Sequence, residues 1–292
     1  MSRRLIVNAD GFGFTRGINR GIVRTVECGV VRSTSVLANF EAIDELSEFH
    51  RKFPQISIGV HLNLSVGRPV SDPKAIRSLV DDAGTFRADF VPAMLRGRVR
   101  SSEMARELDA QVARVLELGV RPTHIDGHQN KHLYPPFFRA ALRVARTRAI
   151  PCMRTHRRYL FAQEGRGVRT LVAYYLRHPR RLGTHFVGRL FSRWARLAGL
   201  CLADRLITPG YLGGDHKSSL DTWCRILGAL PNGWNEIYCH PGIPDDELRQ
   251  YAHYVDKRQL EIDVLCDPRL LEVARHAGVE LVSFHDLIES RR

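Results

Sequence analysis

Long hydrophobic runs are missing from this 292-residue chain. No stretch approaches the roughly 18 uncharged apolar residues that a membrane span requires, which excludes an integral membrane protein. With 44% hydrophobic and 26% charged residues, the chain also lacks the compositional imbalance of disordered or collagen-like proteins. Its start passes from Met1-Ser2-Arg3-Arg4 straight into Leu5-Ile6-Val7, with no apolar h-region and no small-residue cleavage site, so the expected location is the cytoplasm. Paired cysteine motifs are missing too. Cys28, Cys152, Cys201, Cys224, Cys239 and Cys266 form no C-x-x-C and no zinc-knuckle spacing, so reduced, mostly buried thiols are expected. Helix-turn-helix, zinc-finger and RRM signatures are absent despite a pI near 10.0, which argues against a nucleic-acid partner.

Lysine is scarce, five of the 44 basic residues, and the arginines are unevenly placed. Between Arg154 and Leu200 eleven arginines face one acid, Glu164, so +10 of the net charge of +13 lies in that block. A concentrated basic block points to one face that meets phosphates or an anionic membrane surface, although arginine bias also follows from genome composition. The block is apolar as well, with Leu171, Val172, Tyr174, Tyr175, Leu176, Phe186, Leu190, Phe191, Trp194 and Leu197. Basic amphipathic spacing is that of an interfacial helix; the alternative is a helical cap whose apolar stripe rests on the protein's own barrel.

Elsewhere strands and helices alternate. Leu5–Asn8, Ser33–Ala38, Ile56–Leu62, Thr123–Ile125, Pro151–Arg154, Asn235–Cys239 and Val279–Ser283 read as strands. Between them, helical periodicity marks Gly17–Cys28, Ala42–Lys52, Ser102–Leu118, Pro136–Arg148, Leu220–Leu230, Arg258–Leu265 and Arg269–His276. Such alternation predicts a parallel sheet covered by helices, a closed or nearly closed α/β barrel. A single domain over residues 1–292 is expected, carrying a loop-rich segment at 68–100 over the active face and a basic amphipathic insertion at about 155–203.

In a parallel barrel the C-terminal strand ends share one face, so polar residues at those ends can converge. Four sites qualify. Asn8-Ala9-Asp10-Gly11-Phe12-Gly13 ends the first strand in an acid followed by turn-forming glycines. In Gly59-Val60-His61-Leu62-Asn63-Leu64, His61 and Asn63 alternate with apolar neighbours and so point to one side. Thr123-His124-Ile125-Asp126-Gly127-His128-Gln129-Asn130-Lys131-His132 is the densest, and alternation puts His124, Asp126 and His128 on one side, as metal and hydrolytic sites are often built. Tyr238-Cys239-His240-Pro241-Gly242 places a histidine, a potential acid or base, before a turn.

These four motifs, in this order and with Gly-Ile-Asn-Arg-Gly-Ile after the first, resemble the YdjC-like carbohydrate deacetylase family, from Leu5 to about Leu287. The family includes chitooligosaccharide deacetylases and enzymes acting on lipid-linked amino sugars. The resemblance implies a deformed (β/α) barrel and a divalent metal, Mg²⁺ or Zn²⁺, that activates water against an N-acyl carbonyl. By position, His61 and His128 would bind the metal, Asp10 would deprotonate the water and His240 would protonate the leaving amine. Arg154 would orient the sugar or neutralise a phosphate, Asp126 would hold a ligand histidine in its metal-binding tautomer, and Asn63 would stand near the substrate. The implied partner is an N-acetylated sugar, soluble or polyprenyl-phosphate-linked, with peripheral contact to an anionic membrane through residues 154–200; a homodimer is compatible with it.

One position departs from the family pattern. The usual first motif is N-A-D-D-F-G, and here the second acid is Gly11, so a carboxylate expected on the metal is missing. Either Asp10 takes that ligand position, or the metal is held more weakly, or the chain is a catalytically degenerate sugar-binding or regulatory protein on the same fold.

Overall fold

The computed structural model describes residues 2–160, 168–208 and 219–291. Glu164 and Arg166 of the basic block lie outside them. The chain begins β1 (Arg3–Phe12), α1 (Arg16–Glu27), β2 (Ser33–Val36), α2 (Leu46–Lys52) and β3 (Ser57–Leu62). It continues with α3 (Phe90–Leu95), α4 (Ser101–Glu117), β4 (His124–Gly127), α5 (Pro135–Thr147), β5 (Cys152–Met153) and β6 (Arg158–Leu160). Next come α6 (Val168–Arg177), α7 (Pro179–Leu197), β7 (Arg205–Thr208), α8 (Leu220–Gly228) and β8 (Gly233–Cys239). The last elements are α9 (Asp246–Tyr251), α10 (Lys257–Leu265), α11 (Pro268–His276), β9 (Val279–Val282) and α12 (Phe284–Glu289).

All strand ladders are parallel, in the order β5-β4-β3-β2-β1-β8-β7-β6. The sheet curls into the deformed barrel that the alternation of strands and helices predicts. The central strand β1 is shared three ways. On one edge Arg3–Ala9 pairs with β8, while on the other β2 takes Asn8–Phe12 and β9 takes Arg3–Ile6.

Strand alternation explains how the barrel is filled. Leu5, Val7, Ala9, Val36, Ile58, Val60, Ile125 and Ile237 are fully buried and belong to the main hydrophobic core, beneath the helices. Their neighbours in sequence point the other way. Ile6, Cys152, Trp234 and Phe284 form a small apolar cluster, and above it Asn8, Ser33, Ser35, His61, Asp126, Arg154 and Glu236 are buried polar groups joined by hydrogen bonds. Burying so many polar groups is tolerable only because they satisfy one another.

One expectation changes here. Cys28 and Cys266, which follow α1 and α10, form a disulfide across 238 residues of chain, so they are not the reduced thiols expected from spacing. The two helices lie side by side, a juxtaposition that no local spacing announces. The segment 68–100 is anchored on the body of the protein. It packs on the core through Ile76, Leu79, Phe86 and Phe90, and the buried Glu103 and Glu107 of α4 accept hydrogen bonds from the backbone of Ser78, Val70 and Ser71.

Candidate active site

The C-terminal strand ends open into a cavity of about 630 Å³, lined by Asp10, Gly11, Phe14, His61, His128, Arg154, Tyr238, His240, Tyr254, Arg258 and Glu261 among others. The four motifs therefore do meet. Gly11 has φ +104°, in the region that favours glycine, and a Cβ built there would touch nothing within 4 Å. The position where the family carries its second acid is open space on the cavity wall.

Arg154, just beyond β5, is fully buried and forms the centre of the site. Its Nη1 and Nη2 donate to the two oxygens of Asp10 at 2.7 Å each, Nη2 also lies 2.7 Å from Asp126, and Nε donates to Glu236 at 2.6 Å. The guanidinium holds three carboxylates, without which it would be an untenable buried charge. Glu236 is pushed up to about 7 by burial, which the adjacent Arg154 only partly offsets. Asn8 donates a further 2.8 Å bond to Asp10, fixing that carboxylate from a second side.

His61 and His128 stand edge to face, ring centroids 5.5 Å apart. Nδ1 of His61 lies 2.7 Å from Oδ1 of Asp126, whose other oxygen accepts from Ser35. This contact puts the proton on Nδ1 and leaves Nε2 as the ring's lone-pair donor, the arrangement by which a carboxylate prepares a metal-binding histidine. Burial works against a charged His61, but Asp126 and then Asp10 outweigh it and raise its pKa. His128 is different: burial, reinforced by His61 and Lys131, holds it well below the usual imidazole range, so it is neutral. It sits at the head of a turn in which Gln129 and Asn130 adopt φ of 54° and 55°.

Asp10, His61 and Asp126 each offer a ligand atom within 4.8 Å of the others, so the donors present fit a divalent cation. Asp126 is already engaged by His61, Ser35 and Arg154, and Asp10 by Arg154 and Asn8. The two imidazoles are consequently the less committed donors.

His240 follows β8 on the opposite wall, between the rings of Tyr238 and Tyr254 at 5.5 and 6.0 Å. Its backbone is held by α10. The His240 N–H donates to the buried Glu261 at 2.6 Å, Tyr254 donates its hydroxyl to the other oxygen of Glu261, and Arg258 donates to the His240 carbonyl. Two residues on, the backbone of Gly242 runs so close to α1 that a Cβ at Gly21 would lie 2.5 Å from its Cα.

Other residues of the motifs lie elsewhere. Asn63 accepts from the backbone of Ser65 and Val66 and donates to Asn39, shaping the turn after β3 outside the cavity lining. His124 stacks on Phe284 at 3.8 Å and fills the space left by Gly59, below the site. His132 pairs with His156 through their Nε2 atoms under α7. Thus one histidine of the three in the dense motif reaches the cavity. Sequence reading missed Glu236, Tyr254, Arg258 and Glu261. Glu236 carried a signal, an acid two residues before Tyr238 on a strand whose alternate residues face inward; the α10 residues carried none.

The profile of the YdjC-like protein family matches residues 4–276. A carbohydrate deacetylase of Thermoanaerobacter pseudethanolicus is 29% identical over 280 residues, covering 96% of this chain and 97% of the relative. A chitooligosaccharide deacetylase of Salmonella paratyphi B is 30% identical over 288 residues, covering 98% of this chain and all of the relative. Among solved structures, a protein of Enterococcus faecalis described as a cellobiose-phosphate cleavage protein superposes with a TM-score of 0.75 at 28% identity, covering 98% of this chain and 99% of the other.

Proposed function

The chain belongs to the YdjC-like protein family, and from that premise we propose that it is a metal-dependent hydrolase that removes the N-acetyl group of an amino sugar, releasing acetate and the free amine. The observation that carries this reading is the Asp126–His61 contact, which readies Nε2 beside the neutral His128 while Asp10 and His240 stand in the same cavity. His61 and His128 would hold the cation, Mg²⁺ or Zn²⁺, beside the carboxylates of Asp10 and Asp126. Such a cation polarises an amide carbonyl and lowers the pKa of water toward neutrality. Asp10, immobilised by Arg154 and Asn8, takes the proton from the attacking water. His240, positioned by Glu261, gives a proton to the departing nitrogen. Tyr238, Tyr254 and Phe14 supply aromatic walls of the kind sugars stack against. The substrate would be either a soluble oligosaccharide or the sugar head of a polyprenyl-phosphate-linked one, and the basic block favours the latter.

Metal content and acetate release, measured together on N-acetylated chitooligosaccharides and on a lipid-linked N-acetyl sugar, test the proposal. Wild type should bind one divalent ion and release acetate, and His128→Ala should lose both, with release down about 100-fold or more. Equal release by the variant would overturn the assignment of His128. Gly11 supports a second reading, a degenerate sugar-binding protein; metal-free wild type with no release on either substrate would establish it.

A further inference from the structure

The outward face of α7 is apolar and basic at once. Leu182, Phe186, Arg189, Arg193 and Leu197 follow one another at intervals of four, three, four and four residues, which at 3.6 residues per turn collects them in one sector of the helix, and all five are exposed. The inner sector is a different set. Gly188 packs on His156, Phe191 stacks on Phe138 of α5 at 4.2 Å, and Ser192 accepts from the His156 N–H. The alternative of a helical cap is therefore only half the account, because its packing is complete without Leu182, Phe186 or Leu197. Phe186 is 68% and Leu197 75% exposed, and Leu176 of α6 reaches 77%. Of the eleven large hydrophobic residues exposed among the described residues, six lie between Val172 and Leu197. No acid occurs from residue 165 to 203, and Arg177, Arg180 and Arg181 add exposed basic charge at the α6–α7 corner.

We propose that this face docks on a bilayer surface bearing anionic phospholipid headgroups, with Leu182, Phe186 and Leu197 at the acyl boundary and Arg189 and Arg193 on headgroup phosphates. Charge complementarity selects the occupant: a neutral membrane leaves the arginines unmatched, and a nucleic acid leaves the phenylalanine and leucines in water. None of the described helices is long and apolar enough to cross a membrane, so the attachment is peripheral. Because the inner side of α7 rests against the turn that begins at His128, docking would bring the cavity close to the membrane surface. The proposal needs only the outer face and stands apart from the deacetylase reading.

Co-sedimentation of the full chain with vesicles of equal parts phosphatidylglycerol and phosphatidylcholine, and with pure phosphatidylcholine, is the test. Binding is expected on the mixed vesicles alone and should weaken with salt. The Arg189→Gln, Arg193→Gln double variant should bind about 25-fold more weakly, roughly fivefold for each arginine. Phe186→Ser with Leu197→Ser should lower binding about tenfold or more. Failure to bind the mixed vesicles, or binding unchanged in both variants, overturns the proposal. So does tight binding of an RNA oligonucleotide that the serine variant retains in full. Acetate release from a soluble chitooligosaccharide and from a detergent-solubilised lipid-linked N-acetyl sugar, followed in parallel, should be equal in wild type and both variants; its absence on both substrates from all three would refute the deacetylase reading and leave the vesicle result to stand on its own.

Discussion

At residue 11 the cavity wall has room for a carboxylate, but the backbone there suits glycine. Gly11→Asp would meet no neighbour within 4 Å but must adopt φ +104°. We expect about 1–3 kcal/mol of lost stability from that strain, with divalent-metal affinity raised roughly tenfold or more by the added charged donor. Calorimetric metal titration beside a thermal melt checks both, and unchanged affinity would show that position 11 does not face the ion. Individual residues were legible where type and strand position agreed. Asp10, His61, His128 and His240 each end or follow a strand, and each reaches the cavity. His124 and His132 have the right chemistry in the right motif, yet one sits below the site against Phe284 and the other lies under α7. Histidine density along the chain records composition, and only the layer of the barrel decides use. Glu261 was out of reach because its contact with His240 joins α10 to a turn of β8, which no local pattern encodes.

Among the elements, the long amphipathic helices α1, α4 and α5 fall within a residue of their sequence boundaries, because burial on one face imposes the 3.6-residue period. Gly119, at φ +82°, ends the run of α4 as its sequence implies. The unread elements β6, β7, α3, α9 and α12 span three to six residues, too few for a period to register. The Cys28–Cys266 link bears directly on one wall of the site, since it ties α1 to the helix that carries Arg258 and Glu261. Closing so long a loop restricts the unfolded chain severely. Cys28→Ser, or reduction of the native protein, should therefore cost about 2–4 kcal/mol. Urea unfolding with and without dithiothreitol measures it, and coincident curves would mean that the two sulfurs are thiols in solution.

For the molecule as a whole, buried histidines set the response to acid. His124 and His132 are held down to about 3, and His128 and His156 well below the usual range, all chiefly by burial. The unfolded chain protonates these four below about 6.5 while the folded protein refuses the protons, so their share of stability is full above that pH and falls as acid is added. His61, raised, and Glu236, raised to about 7, act in the opposite sense. With the buried His185, held down to about 4, joining these four against the two, the metal-free protein should lose stability between pH 7.5 and 5.5. A urea midpoint that stays level or rises over that interval would contradict this balance. The parallel order of the strands gives the barrel a further property. Among the described strands β1 comes first, yet one edge of it waits for β8, and half of the other waits for β9 at residues 279–282. A nascent chain therefore holds part of its central strand unpaired until residue 282 has been made. The middle of the barrel is closed from far along the chain, and removing β9 would bare the edge of β1 from Arg3 to Ile6.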